Sequence, residues 1–391
     1  MMLGLLLARA GIEVRVFEKH ADFLRDFRGD TIHPSTLEVI HELGLLERFL
    51  TLPHQKVVEL GAQIGNARLL LADFGHLPTR CRFLAFMPQW DFLNFLAREA
   101  AQLPTFRLEM ETEVTGIIEA ADRVVGVRVA TPHGEREEPA TLVVAADGRQ
   151  SAVRQAAGLP VIELGAPIDV LWFRLPRSPD SPVETMGRFN TGSIFIAINR
   201  GDYWQCGYVI AKGSFEHIRA QGLDAFRAAV ATGAPFAVDQ FGVLRSWDDV
   251  NLLTVRVDRL TTWYRAGLLC IGDAAHAMSP IGGVGINLAI QDAVAAANVL
   301  AEPLRDGRVT VEHLRRVQQR RELPTRVTQW FQVQVQRNII APVLSSTRPL
   351  TPPLPLRLSA RFPILRRIPA RMIGLGIRPE HIRLPPPALI G

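Results

Sequence analysis

A chain of 391 residues, 48% apolar and 21% charged, has material for a sizeable core shared by two or three joined domains, which excludes a disordered or fibrous polypeptide. Its net charge of +5 comes almost wholly from arginine and shows no compact basic run interleaved with aromatics, which argues against a nucleic-acid partner. Three cysteines, Cys81, Cys206 and Cys270, stand far apart, which excludes a disulfide framework or a structural metal cluster and fits a reducing, cytoplasmic setting.

From the N-terminus, residues 1–10 read as an apolar helix stopped by Gly11, because glycine tolerates the left-handed turn past a helix end. Residues 12–17 read as a buried strand with Glu18 at its carboxyl end and Lys19 next to it. Arg28 falls in a loop ahead of a helix over 34–43 that Gly44 closes. Short strands are expected over 57–86, then a helix over 88–102 with Pro88 in its first turn and Gln89 beside it. A hairpin follows over 113–118 and 124–130. The apolar run 141–145 is a strand feeding Asp147-Gly148, which puts the acid at the carboxyl edge where parallel sheets bind ligands.

Residues 161–257 alternate as a mixed β-sheet with one helix over 215–232, and read as a separate substrate-facing domain. Phe189, Trp204, Cys206 and Tyr208, with Ile194 and Ile196, read as its pocket face. Their aromatic character and lack of charge favour a lipophilic ring substrate.

The most informative run is 272–293, GDAAHAMSPIGGVGINLAIQDA, which follows a short apolar strand at 267–271. A strand, a glycine-rich turn and a helix start offer backbone N–H groups and a positive dipole end to an anionic or electron-accepting ligand. Gly282, Gly283 and Gly285 leave that backbone bare, so a flat ligand can approach it. Asp273 can accept from ligand hydroxyls, and Asn287 can both donate and accept. His33 and His276 read as hydrogen-bonded structural histidines. A long helix or helix pair over 311–338 precedes a Pro- and Arg-rich tail, 341–391, with an amphipathic piece over 365–375. Docking of the tail on its own domain is favoured over contact with an acidic membrane surface. No uncharged apolar run reaches the roughly eighteen residues of a spanning helix, so no integral membrane segment is expected.

These motifs, in this order, resemble the class A FAD-dependent monooxygenases, the para-hydroxybenzoate hydroxylase-like family, over nearly the whole chain. The resemblance implies an α/β fold: a Rossmann-like FAD-binding domain, N-terminally truncated, with an inserted mixed β-sheet substrate domain and a helical C-terminal tail. The FAD-binding part would comprise residues 1–160 and 258–340, with 57–86 free to join the substrate sheet of 161–257. By the same resemblance, Glu18 and Lys19 meet the adenosine ribose and Arg28 the phosphates or ribityl chain. Gln89, Asp147, Gly148, Gly272 and Asp273 hold the flavin nucleotide. Gly285, Ile286 and Asn287 open the helix that faces the ring. Pro280, Gly282 and Gly283 wall the reacting end and stabilise charge building on the flavin.

The family's GxGxxG loop and first strand are not in this sequence, which opens inside the helix that should follow them. The expectation is a start-site artefact or a truncated gene, with two strand edges exposed and nucleotide affinity reduced. The implied activity is hydroxylation of an aromatic or other electron-rich lipophilic small molecule with NADPH or NADH and O2, through a flavin C4a-hydroperoxide. A reductase-type flavoenzyme and a remnant that binds FAD poorly are the alternatives. A homodimer is left open.

Overall fold

The structure, a computed structural model, describes residues 1–24, 31–178 and 185–384. A parallel α/β unit carries the largest core. Strand Val14–Phe17 pairs parallel with Phe106–Glu109, and Val143–Ala145 pairs parallel with Leu268–Cys270. Helices Met2–Arg9, Gln89–Ala100 and Gly285–Arg305 bury Leu5, Leu6, Phe92, Phe95, Val294 and Leu300 against one another around these strands.

The two parallel ladders are not hydrogen-bonded to each other among the described residues. Each therefore keeps an open edge, and the strand read as buried over 12–17 is in fact Val14–Phe17 with no residue fully buried. A parallel strand is buried when it has neighbours on both sides and helices on both faces; this one has a neighbour on one side only.

Seven strands form the second unit, in the order Asn251–Leu253, Ile168–Pro176, Tyr203–Ala211, Ser193–Asn199, Met186–Asn190, Glu59–Ile64 and Ala67–Asp73. Residues 59–73 thus join the sheet built mainly from 168–253. The helical stretch read over 215–232 is two helices, Phe215–Ala220 and Leu223–Gly233, broken at Gly222, whose φ of +93° a helix cannot hold. These helices and the 3₁₀ segment Pro235–Val243 cover one face of the sheet over Leu171, Phe173, Phe195, Trp204 and Cys206. The opposite face carries Val170, Trp172, Ile194, Ile198 and Val209.

The tail docks on the rest of the chain. Helices Leu354–Arg361 and Arg367–Gly374 pack against the edge strand Ala67–Asp73. Gly374 is needed there, because a Cβ would stand 2.7 Å from Leu77 Cδ1. Further on, His381 meets Glu42 at 2.5 Å, and Glu380 receives both Nε contacts of Arg320 at 2.8 Å. One helical stretch, Ile281–Arg305, is long and apolar enough to cross a membrane by length and composition; 72% of its window is buried inside the protein, and its centre carries Asp292.

Candidate functional site

The parallel pairing of Val143–Ala145 with Leu268–Cys270 makes Asp147-Gly148 and Gly272-Asp273 leave the same end of adjacent strands. The Ile271 N–H donates to the Ala145 carbonyl at 3.0 Å, and Arg149 Nη2 donates to Asp273 Oδ2 at 3.3 Å. Two motifs far apart in sequence so become one surface. Gly148 holds φ +88° and Gly272 φ +59°, and a Cβ on Gly272 would stand 3.0 Å from Ala289 Cβ. Asp147 is exposed, with one oxygen accepting from the Val153 N–H at 3.2 Å. Arg149 Nε and Nη1 are buried without partners beside these carboxylates. Arg149 has no role in the sequence reading, although it directly follows Asp147-Gly148.

The turn after Pro280 is tied from behind. Helix Val311–Val335 and the π-turn that follows it present three buried amides, Gln329, Gln332 and Gln336. Gln332 Nε2 donates to the carbonyls of Ser279 at 2.9 Å and Ile281 at 3.0 Å, and its Oε1 accepts from the Ser279 N–H at 3.1 Å. Gln336 Nε2 donates to Ser279 Oγ at 2.7 Å, and Gln329 Nε2 to the Ala277 carbonyl at 3.1 Å. The front of the turn stays open: Gly282 is exposed, while Pro280, Ile281, Gly283, Gly285 and Ile286 are half-buried. Their spacing, i, i+3 and i+7, sets the three amides on one helical face, a periodic cue in the sequence that does not by itself say which backbone groups they meet.

Asn287 is placed differently from its sequence reading. Its Oδ1 accepts from the His33 N–H at 2.9 Å and Thr36 Oγ1 at 2.7 Å, and its Nδ2 donates to the carbonyls of Thr31 at 3.0 Å and Gly283 at 3.2 Å. Both of its amide protons and both lone pairs are engaged, so it staples the turn to the neighbouring loop instead of facing a ligand.

Beneath the motif lies a buried ionic chain that the sequence did not announce. Asp292 Oδ2 accepts from the Gly272 N–H at 3.0 Å and from His276 Nε2 at 2.6 Å, and Oδ1 accepts from Arg321 Nε at 2.9 Å. Arg321 continues to Glu380 of the tail at 3.5 Å. Burial works to raise the Asp292 carboxyl, but His276 and Arg321 overcome it and hold the group below the ordinary carboxylate range.

At the adenosine side, Glu18 is half-buried and accepts from the His20 N–H at 3.0 Å. Lys19 is exposed and lies 3.9 Å from Glu113. Gln89 is the first residue of its helix and half-buried, with Pro88 as the capping residue just outside the first turn. Arg28 lies outside the described residues. On the substrate side, Trp204 and Cys206 are completely buried under the helical cover, which corrects their reading as pocket residues; Tyr208 is half-buried on that same side, against Phe226. Ile194 and Ile196 sit across from Val209 and Gly207 on the other face, with Phe189. The expected pocket face had mixed the two sides: the register sets Ile194 and Ile196 opposite Val209 and Gly207, so they share a face with the odd-numbered residues of the neighbouring strand and not with 204, 206 and 208.

An α/β unit with this turn and these paired acids is that of an FAD-dependent monooxygenase of class A. The chain belongs to the family described as FAD binding domain, whose model matches residues 1–331. It is 32% identical over 396 residues to 6-methylpretetramide 4-monooxygenase of Streptomyces rimosus, covering 99% of this chain and 94% of that one. It is 28% identical to dialkyldecalin synthase of Streptomyces rugosporus over 75% of this chain and 61% of that relative. Among solved structures, p-nitrophenol 4-monooxygenase from Pseudomonas putida superposes with a TM-score of 0.74 at 18% identity, over 94% and 93% of the two chains.

The residues present fit FAD at its flavin end. Orphaned Arg149 donors, the acceptors Asp147 and Asp273, and an uncovered glycine turn together form the donor and acceptor set that a phosphate-linked, hydroxylated, flat ligand requires. When bound, FAD supplies the activation of O2, with NAD(P)H as the reductant typical of the family. The chain's own part is to bind, orient and exclude water. Cys270, directly before the loop, takes no part: burial, with Asp147 nearby, pushes its thiol up to about 12, so it stays protonated.

His33 yields a testable pH dependence. Its Nδ1 lies 2.7 Å from the Ile373 carbonyl, so Nδ1 carries the proton, and burial pulls the ring down to about 4. The unfolded chain, with an ordinary value near 6.5, takes up a proton between about pH 6.5 and 4 that the folded chain refuses. Stability should therefore fall by about 3 kcal/mol as pH drops through that window. Urea midpoints at pH 7 and pH 4.5 check this; the His33→Asn chain should lose most of that slope, and an unchanged slope would assign it elsewhere.

Proposed function

We propose that this monooxygenase hydroxylates a neutral, lipophilic, phenol-type ring compound; the Streptomyces rimosus relative is named for 6-methylpretetramide. The observation that carries the reading is the shared apolar cluster of Ile281, next to the glycine turn, with Phe189 and Ile196 of the sheet. A ring held there would lie between the sheet and the flavin loop, against carbon on both sides. In this reading, residues 161–257 with the strands of 59–73 form the substrate-facing unit, and 1–160 with 258–340 hold FAD. Pro280, Gly282 and Gly283 face the reacting end. The amides of the turn stabilise negative charge there, and the apolar walls keep water from the reacting atoms.

The test is NAD(P)H oxidation and hydroxylated product over a panel of phenols and aromatic polyketides. Ile196→Asp, on the half-buried face, should raise KM at least ten-fold with flavin content unchanged. Trp204→Ala, on the covered face, should instead cost about 3–5 kcal/mol of stability with little change in KM. The opposite pattern would move the substrate to the other side of the sheet.

A further inference from the structure

Between Glu322 and Glu380 the chain contains no Asp or Glu, while arginine occurs at 326, 337, 348, 357, 361, 366, 367, 371 and 378. The tail hairpin within this stretch buries Ser359, Ala370 and Gly374 inward. Outward it shows large apolar side chains: Leu354, Leu358, Phe362, Ile364, Leu365 and Ile368 are all exposed, Leu354 and Ile364 by 65% and 64%. Isolated exposed leucines need no explanation, but six large apolar groups within fifteen residues do. Arg357, Arg361, Arg367 and Arg371 are exposed among them, and no ion pair joins these four to a carboxylate among the described residues.

We propose that the hairpin 354–374 is a docking face for an anionic lipid surface. The charge pattern selects this occupant. Apolar groups that enter the acyl boundary, ringed by cations that meet anionic headgroups, are the composition of an interfacial amphipathic element. A second copy of the chain is disfavoured, because a two-fold interface would set this acid-free arginine surface against itself. The hairpin is also close to the flavin loop: Ile373 Cγ1 lies 4.0 Å from where a Gly282 Cβ would stand. A docked protein would hold its flavin loop near the lipid from which a lipophilic compound partitions, although the docking face itself does not depend on the substrate reading.

Co-sedimentation of the full chain with phosphatidylcholine vesicles, with and without 30% phosphatidylglycerol, tests the proposal. Binding is expected only with phosphatidylglycerol and should weaken several-fold between 0.05 and 0.5 M salt, roughly as screening predicts. Phe362→Ser with Ile364→Ser, and separately Arg361→Glu with Arg367→Glu, should each lower the bound fraction at least ten-fold. All four positions are exposed, so the fold should survive, and circular dichroism checks that. The control Val238→Ser, on an exposed site of the other unit, should bind like the parent. Equal binding to both vesicle types, no binding to either, or a concentration-dependent dimer abolished by the Phe362/Ile364 pair without lipid binding would each overturn the proposal.

Discussion

Replacing Asp292 by Asn is expected to cost about 3–5 kcal/mol of folding stability, since it removes one member of a buried, paired charge set. The carboxylate is fully buried and accepts from the Gly272 amide, His276 and Arg321. Without it, Arg321, 1% exposed, keeps only longer contacts, to the Arg378 carbonyl at 3.4 Å and to Glu380 at 3.5 Å. Because the native carboxyl titrates below the ordinary range, its contribution is present above about pH 4 and is lost as pH falls through the depressed value. The parent and the Asn chain should therefore differ widely in urea midpoint at pH 7 and converge towards pH 2. A difference that stays constant with pH would show that packing, rather than charge, holds this site. Loss of the Gly272 tether should also lower flavin affinity, which separates this residue from one that merely fills the core.

Gly283→Ala should destabilise by about 2–4 kcal/mol. Gly283 has φ +62°, which costs an alanine about 1 kcal/mol, and its added Cβ would fall 2.2 Å from Thr31 Oγ1. Thr31 cannot easily retreat, because its hydroxyl donates to the Gly283 carbonyl at 3.1 Å and its backbone lies in the short sheet with Leu84–Phe86. Thermal unfolding of the two chains measures the cost. A loss below 1 kcal/mol would mean that the loop between Thr31 and Gly283 gives way, and that the turn is less rigid than its five glutamine hydrogen bonds suggest.

The parts of the fold that a short window of sequence determines were legible in advance. The glycine turn, the Asp147-Gly148 strand end and the helix starts each follow from neighbouring residues. What was not legible depends on partners far away in the chain. Whether Trp204 or Gly207 faces the flavin side depends on the register with Ser193–Asn199 and on which face the 215–243 segment covers; an alternating strand gives no sign of either. Asn287 looked like a ligand-binding amide until Thr31, His33 and Thr36 arrived from more than 250 residues away. Gln332 and Gln336 share a helical face with Gln329 by spacing alone, but that this face is buried against the loop shows only in the Ser279 and Ile281 groups they satisfy.

Gly282 allows the most direct test of where the flavin rests. Its φ is +76°, and a Cβ there would meet nothing closer than Val284 Cγ1 at 3.6 Å, so Gly282→Ala should fold with a loss of only about 1 kcal/mol. If a flat ring lies against that exposed backbone, the same methyl group occupies its place. Titration of FAD, followed by fluorescence quenching, should show at least a ten-fold rise in Kd for the Gly282→Ala chain relative to its parent. An unchanged Kd in a folded Gly282→Ala chain would contradict the account.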